Sequence, residues 1–318
     1  MPGLATTAAL RFSRAMPVQV IGNPRVVGDI PRFCEVENYT DNFGFQWNRF
    51  AETQVANAAT IADFSENRLF DTTEWKPDEL DGLDILEVGS GAGRFSRPIL
   101  QRTRANLYSV DYSTAVEANL KNNGAIAPER FHLFQASVYE MPFPDNSFDK
   151  TFCLGVLQHT PDFEASVRAL VAKTKPGGEI VVDFYAIRGW WTKIHAKYLL
   201  RPFTRRMDNT KLLALIEGNI DWLIGAYRFL DRIKLRPLTR FLPIVDIAGT
   251  FPQGLSAKQE REWAILDTFD MYSPDFDNPQ RIETVAAMFE RADATVTFAG
   301  NISTGGAVVR AIKGKIAA

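Results

Sequence analysis

Cysteine is scarce in this sequence, with Cys34 and Cys153 alone among 318 residues. Two thiols build neither a disulfide framework nor a zinc site, and they fit a reducing, cytoplasmic setting. Histidine is nearly as scarce, so any imidazole chemistry must come from His132, His159 or His195. No uncharged apolar run approaches the roughly 18 residues that would suggest a membrane span. The first twenty residues carry Arg11 and Arg14 and lack the continuous apolar stretch of a secretory signal. Net charge is close to absent at −2, so the whole-chain balance gives no reason to expect nucleic acid as a partner. What is present is ordinary for a soluble globular protein, with 46% apolar residues to fill a core. The length suits one large domain with an insertion or two modest ones, and leaves homo-oligomerisation open.

Residues 1–30 are small, polar and punctuated by Pro and Gly, and read as a loosely ordered arm extending to about residue 45. Helical spacing begins near Trp47, with Phe50, Gln54 and Val55 along the same side. From Leu83 short apolar runs alternate with helical patterns: "LDILEV" (83–88), "NLYSVD" (106–111), "FHLFQAS" (131–137), "DKTFCLG" (149–155) and "EIVVDFY" (179–185). Runs this apolar suit strands covered on both faces, hence a parallel sheet. Thr114 and Glu117 are spaced as a capping box, and Thr160 with Pro161 marks a second helix start whose exit is Pro176-Gly177-Gly178. Strand–helix alternation of this kind predicts a Rossmann-like, doubly wound α/β domain. The alternation pauses over 188–278, a mainly helical insertion, and resumes with a helix near 279–292 and the strands "ATVTFAG" and "GGAVVRAIK". The core is therefore assigned to 46–187 and 279–318, with 188–278 as a substrate lid.

The stretch "LDILEVGSGAGRFS" places Glu87 at the end of a buried strand and glycines at 89, 91 and 93 before a helix. A bare backbone at a helix N-terminus lets a ligand approach closely. Asp111 ends the next strand, 18 residues after Gly93, where a carboxylate would face ribose hydroxyls. The dinucleotide fingerprint needs glycine at 94, which is Arg94 here. An acid at the loop repels a diphosphate and favours a cationic ligand such as an aminoacyl sulfonium.

"ILEVGSGAGRFS…YSVDYS…FQASVYEMPFPDNSFDKTFCLGVLQHTPD…KPGGEIVVDFY" resembles the class I S-adenosylmethionine-dependent methyltransferases over roughly 83–185. "IPRFCEVENYTDNFGFQWNRFAETQ" is similar to a bacterial small-molecule and glycan-type subgroup, some of whose members carry a zinc-ribbon-like segment. The ribbon cysteines are absent here, so no metal is expected. The resemblance implies a seven-stranded mixed sheet with an antiparallel last strand and an insertion after the fifth strand. It implies that Gly89, Ser90, Gly91 and Gly93 wrap the aminoacyl part of S-adenosylmethionine, with Glu87 holding the loop or the ammonium. Asp111 would bind the ribose, Tyr112 would pack by the adenine, and Ala136, Ser137 and Val138 would flank its edge. Many relatives have Asp where Ser137 stands, so a contact to the adenine amino group is lost. Leu154 and Gly155 would face the sulfonium, and S-adenosylhomocysteine would be the product.

Methyl transfer needs an aligned acceptor and, for a hydroxyl, a base. His132 lies in a strand and His195 in the insertion, whereas His159 follows the fourth strand at the crevice edge. Similar O-methyltransferases pair such a histidine with an acid at the end of the fifth strand, the place of Asp183. His159 as a base and His159 as a loop-orienting residue both stay open. Trp47, Tyr185, Asp270 and Tyr272 are candidate acceptor contacts. In "NFGFQW", Phe43, Phe45 and Trp47 read either as a lid over the cofactor or as packing against the sheet. The insertion, with twelve Lys/Arg against four Asp/Glu over 188–242, reads as a lid over an acidic acceptor, as a membrane-surface contact or as a solvated face. The expectation is transfer to a hydroxyl of a small or medium, sugar-containing or natural-product acceptor. The rivals are a cyclase- or decarboxylase-type enzyme on the same scaffold, and a surface-associated methyltransferase acting on a lipid-linked acceptor.

Overall fold

The computed structural model describes residues 16–35, 38–55, 59–187, 189–303 and 306–314. Arg11 and Arg14 of the expected arm lie outside them. The described part of that arm is not irregular. Val27 pairs with Ile30 across Gly28-Asp29, both at positive φ (56° and 63°), the backbone that a tight two-residue hairpin requires. The hairpin joins β1 (Arg25–Val27) to β2 (Ile30–Arg32), and β2 extends the main sheet. Buried Arg32 ties it down, reaching Gln135 Oε1 at 2.7 Å and Glu117 Oε1 at 2.6 Å.

The apolar runs form β3 (Asp84–Val88), β4 (Asn106–Asp111), β5 (Phe131–Gln135), β6 (Phe148–Cys153) and β7 (Thr174–Phe184), with β8 (Ala294–Asn301) and β9 (Ala307–Lys313) closing the chain. The sheet order is β1-β2-β5-β4-β3-β6-β7-β9-β8. β5, β4, β3, β6 and β7 are parallel, while β9 is antiparallel to both β7 and β8. The expected seven strands are therefore nine, because the hairpin supplies two that are too short to show a period.

Helices α1 (Asp41–Arg49), α2 (Ala59–Thr73), α3 (Ser96–Arg102), α4 (Val116–Asn123), α5 (Phe163–Lys173), α6 (Ala196–Thr204), α7 (Asn209–Arg232), α8 (Ile247–Thr250), α9 (Ala257–Tyr272) and α10 (Ile282–Arg291) complete the described elements with several 3₁₀ turns. Successive strand residues point to opposite faces. Leu86, Val110 and Val182 pack with Val167 of α5 and Phe289 of α10, whereas Ile85, Leu107 and Val181 pack with Leu69, Ile99 and Val116 of α2, α3 and α4. A third cluster joins α7 and α9 through Leu212, Ile220 and Phe269 and takes in Phe45 of α1. Among the described residues no helix is long and apolar enough to cross a membrane.

Three local expectations are corrected. The first helix begins at Asp41 and ends at Arg49, so Phe50, Gln54 and Val55 lie in the turns that follow Trp47. Thr114 caps nothing with its side chain, and Glu117 turns to Arg32 instead. The cap of α5 is Asp162, whose carboxylate accepts from Ala165 N at 2.8 Å, in place of Thr160. That helix ends at Lys173, and Pro176-Gly177-Gly178 lie inside β7.

Candidate functional site

The strand order reverses at β3, since β4 and β5 lie on one side and β6 and β7 on the other. The crevice outside the carboxyl ends at such a reversal is where open α/β sheets bind ligands. The glycine loop leaves β3 there, with Gly89, Gly91 and Gly93 at φ 80°, 51° and 84°. A Cβ on Gly93 would lie 2.0 Å from Asn119 Oδ1, so this glycine serves close packing against α4. Gly155, after β6, differs. It has φ 75° and nothing within 4 Å of where its Cβ would be, so bare backbone faces open space. Leu154 beside it is buried.

The two acids divide their work. Glu87 is buried under the loop and accepts from Ser96 Oγ and Ser109 Oγ at 2.5 Å each. Burial pushes its carboxyl up to about 7, and Asp111 nearby adds to this, against the lowering effect of the two serines. It therefore holds the start of α3 to β4, and Oε1 is left without a partner. Asp111 is the carboxylate that meets the loop. Its Oδ2 accepts from Gly91 N at 2.7 Å, and its Oδ1 accepts from Ser113 N at 2.8 Å and Ser113 Oγ at 2.6 Å. Burial raises its pKa, opposed by these bonds. With three acceptor positions used, Oδ2 keeps one.

His159 sits in a 3₁₀ turn after β6 and is buried. Its Nδ1 is 3.0 Å from the Phe276 carbonyl. A carbonyl only accepts, so Nδ1 carries the hydrogen and Nε2 keeps its lone pair. Nε2 has no partner. Burial lowers the pKa below 6.5, against the raising effects of Asp270 and the Phe276 carbonyl. The ring packs on Phe43 at 5.1 Å and edge-on to Tyr185 at 5.6 Å. The expected pairing with Asp183 does not form. Asp183 meets Arg68 Nη2 at 2.9 Å and accepts from Gly155 N, so it fixes the loop after β6. Residues 276–280 cross this region as a strap, with Asn278 N donating to Gln158 O and Gln280 N donating to Tyr185 O.

Tyr185 approaches Asp270 with its hydroxyl at 3.4 Å from Oδ2, and the Tyr272 hydroxyl is buried without a partner. Trp47 lies over the glycine loop, its Nε1 3.3 Å from where a Gly91 Cβ would be, while Phe45 goes to Phe269 in the insertion. Tyr112 packs against Tyr39 at 5.3 Å. Ala136 N bonds the Asp111 carbonyl, and Ser137 Oγ caps the turn that Val138 opens. His132 lies in β5 against Tyr108 at 4.6 Å, and His195 caps α6, both away from this chemistry.

Three polar residues are singled out by no motif in the sequence, and a fourth, Arg94, is visible there only as a missing glycine. Gln46 and Gln158 are buried with both amide atoms unpartnered, on α1 and on the His159 turn. Arg68 and Arg94 border the same region, each with one unpartnered buried nitrogen. Gln158 precedes His159 in "LQHTPD", and an amide directly beside the candidate base was the available signal. With Ser90 Oγ, which is also unpartnered, these are buried polar atoms that no protein group satisfies. Among the described residues no group of three His, Cys, Asp or Glu forms a metal site.

Residues 86–182 match the family model for a methyltransferase domain. The chain is 33% identical over 176 residues to a tRNA U34 carboxymethyltransferase of Nautilia profundicola, covering 51% of this chain and 56% of that protein. It is 27% identical over 169 residues to a ubiquinone/menaquinone biosynthesis C-methyltransferase of Vibrio cholerae, covering 49% and 59%. The chain thus spans a little over half the length of these relatives. A solved S-adenosylmethionine-dependent methyltransferase from Aquifex aeolicus aligns over 83% of this chain and 97% of its own, at 11% identity and TM-score 0.46. Residues 86–182 are thus similar to the methyltransferase-domain family, within a Rossmann-like α/β sheet whose strand order reverses at β3.

Proposed function

We propose that this chain transfers a methyl group from S-adenosylmethionine to a hydroxyl of a small or medium acceptor, with His159 as the base. The observation that carries the reading is the His159 ring, buried at the crevice with Nδ1 bonded to a carbonyl and Nε2 bare. The cofactor, when bound, supplies an already activated methyl group. Gly89, Ser90, Gly91 and Gly93 would hold its aminoacyl part, and the remaining acceptor position on Asp111 would take a ribose hydroxyl. Tyr112, Ala136, Ser137 and Val138 would border the base, and Leu154 and Gly155 the reacting end. Nε2 of His159 takes the hydroxyl proton, while α1 and the strap keep water out. Tyr185, Asp270 and Tyr272 supply polar contacts for the acceptor. The two relatives are named for different acceptors, a tRNA U34 position and a quinone pathway, so their names do not choose one here. The likeness of residues 30–54 to the bacterial subgroup supports a sugar-containing or natural-product acceptor.

The test has two arms. Calorimetric titration with S-adenosylhomocysteine and with NADH should show binding of the first alone; the reverse overturns the cofactor assignment. With an acceptor recovered from the purified protein by mass spectrometry, His159→Ala should slow methyl transfer by tenfold or more, on the order expected of a lost base, at unchanged S-adenosylhomocysteine affinity. In the parent, kcat should fall as pH drops through a value below 6.5 and stay level above it, because the neutral ring is the active form. Equal rates for the two proteins would remove the base.

A further inference from the structure

Helix α7 has two apolar faces where packing on one side needs one. Leu212, Ile216, Ile220, Leu223 and Tyr227 are buried against α9 and its surroundings. Leu215, Trp222 and Phe229 recur at intervals of seven on a face roughly 120° away at about 100° per residue, and Trp222 and Phe229 are 56% and 59% exposed. The neighbouring elements repeat the pattern. The 3₁₀ turn Arg236–Phe241 packs on α7 and exposes Leu238 and Phe241. Arg240 donates to the Trp191 carbonyl, which brings that turn beside Trp190, 77% exposed. Helix α6 adds Leu199 and Phe203. Of eighteen exposed large hydrophobic residues among those described, thirteen fall between Trp190 and Phe241. Single exposed apolar residues are normal, but such a concentration marks an interaction surface.

The charges around it select the partner. Lys193, Arg206, Lys211, Arg232 and Lys234 are exposed and take part in no ion pair among the described residues. A second copy of this face would bring like charges together. A basic fringe around tryptophan, phenylalanine and leucine instead complements a surface that is negative outside and apolar just beneath. We propose that the face formed by α6, α7 and the turns 190–193 and 236–241 docks on an anionic lipid bilayer. This goes beyond methyl transfer and does not depend on it.

The full chain is sedimented with phosphatidylcholine vesicles and with vesicles that also contain phosphatidylserine, and S-adenosylhomocysteine affinity is measured on the same preparations. Binding to the phosphatidylserine vesicles, lost in high salt, is expected. Trp222→Ser with Phe229→Ser should lower the partition coefficient more than about tenfold. Lys211→Glu and Arg232→Glu should each lower it about fivefold or more. All four positions are exposed, and circular dichroism confirms folding. No vesicle binding by a parent that still binds S-adenosylhomocysteine overturns the proposal alone. So does equal binding to both vesicle types, or a dimer in light scattering that Trp222→Ser with Phe229→Ser dissolves while vesicle binding is absent.

Discussion

Glu87 is set by burial before any ligand arrives. Its pKa of about 7 in the folded chain lies above the ordinary 4.5, so the folded state holds the proton more tightly than the unfolded one. Its contribution to stability is complete below the unfolded value and is lost as pH rises through about 7. Glu87→Gln keeps the shape and removes the titration. From about pH 5 to 8 the parent should lose stability relative to the variant by up to about 3 kcal/mol, read as the difference in urea unfolding free energy. Parallel pH profiles would show that the carboxyl is ionised throughout. Asp111 is tested differently. Asp111→Ala removes the acceptor for Gly91 together with the proposed ribose contact, and should weaken S-adenosylhomocysteine binding by about 1.5–3 kcal/mol, with unchanged calorimetric affinity as the refuting result. Both acids and the three glycines were legible in the sequence, because strand ends and bare loops carry a spacing. The Phe276 carbonyl was not. It is a main-chain group 117 residues from His159, and no motif announces it. Asp183 stands at the strand end where an acid was expected, but its partner Arg68 lies on α2, 115 residues away, and was equally hidden.

At the scale of elements, the start of α5 shows why a plausible cap can lose. Thr160 and Asp162 both suit an N-cap. The Thr160 hydroxyl donates to Leu157 O at 2.7 Å, and the Thr160 carbonyl accepts from Asn278 Nδ2 at 2.9 Å. With that residue committed to the strap, the helix starts later, and the Tyr139 hydroxyl meets the Asp162 main chain at 2.9 and 3.0 Å. Asp162→Ala should therefore cost about 1 kcal/mol in chemical denaturation, whereas Thr160→Ser, which keeps the hydroxyl, should cost well under half of that. A larger cost at position 160 would restore the sequence-based cap. The same reason displaced Glu117 from Thr114: Arg32, 85 residues away, offers it a charge-assisted bond. The hairpin at Gly28-Asp29 was readable in principle from its turn residues, but strands of three residues give periodicity nothing to act on.

For the molecule as a whole, strand–helix alternation was enough to anticipate the parallel centre, since connections of this length leave few topologies, whereas the antiparallel end was expected from the resemblance alone. The interior of the helical segment was less visible. Helix α7 has two apolar faces, and only packing reveals which one is inward. Ile220 is fully buried there, so Ile220→Ala should destabilise by about 2–5 kcal/mol. Equilibrium unfolding followed by fluorescence and by circular dichroism measures this, and a loss under about 0.5 kcal/mol would mean that the cluster contributes little. Because Phe45 of α1 joins this cluster through Phe269 at 5.7 Å, α1 and the helical segment are linked through it.

That linkage gives the Phe276 carbonyl a wider meaning. It belongs to the stretch where the helical segment hands the chain back to α10. Asn278, two residues on, is bonded to Gln158 and Thr160 beside His159, so the carbonyl is held with the strap, and a loosened strap would let the imidazole place its hydrogen on either nitrogen. Under the proposed base role, the seating of this strap would set how much of the ring carries its hydrogen on Nδ1 and leaves Nε2 free.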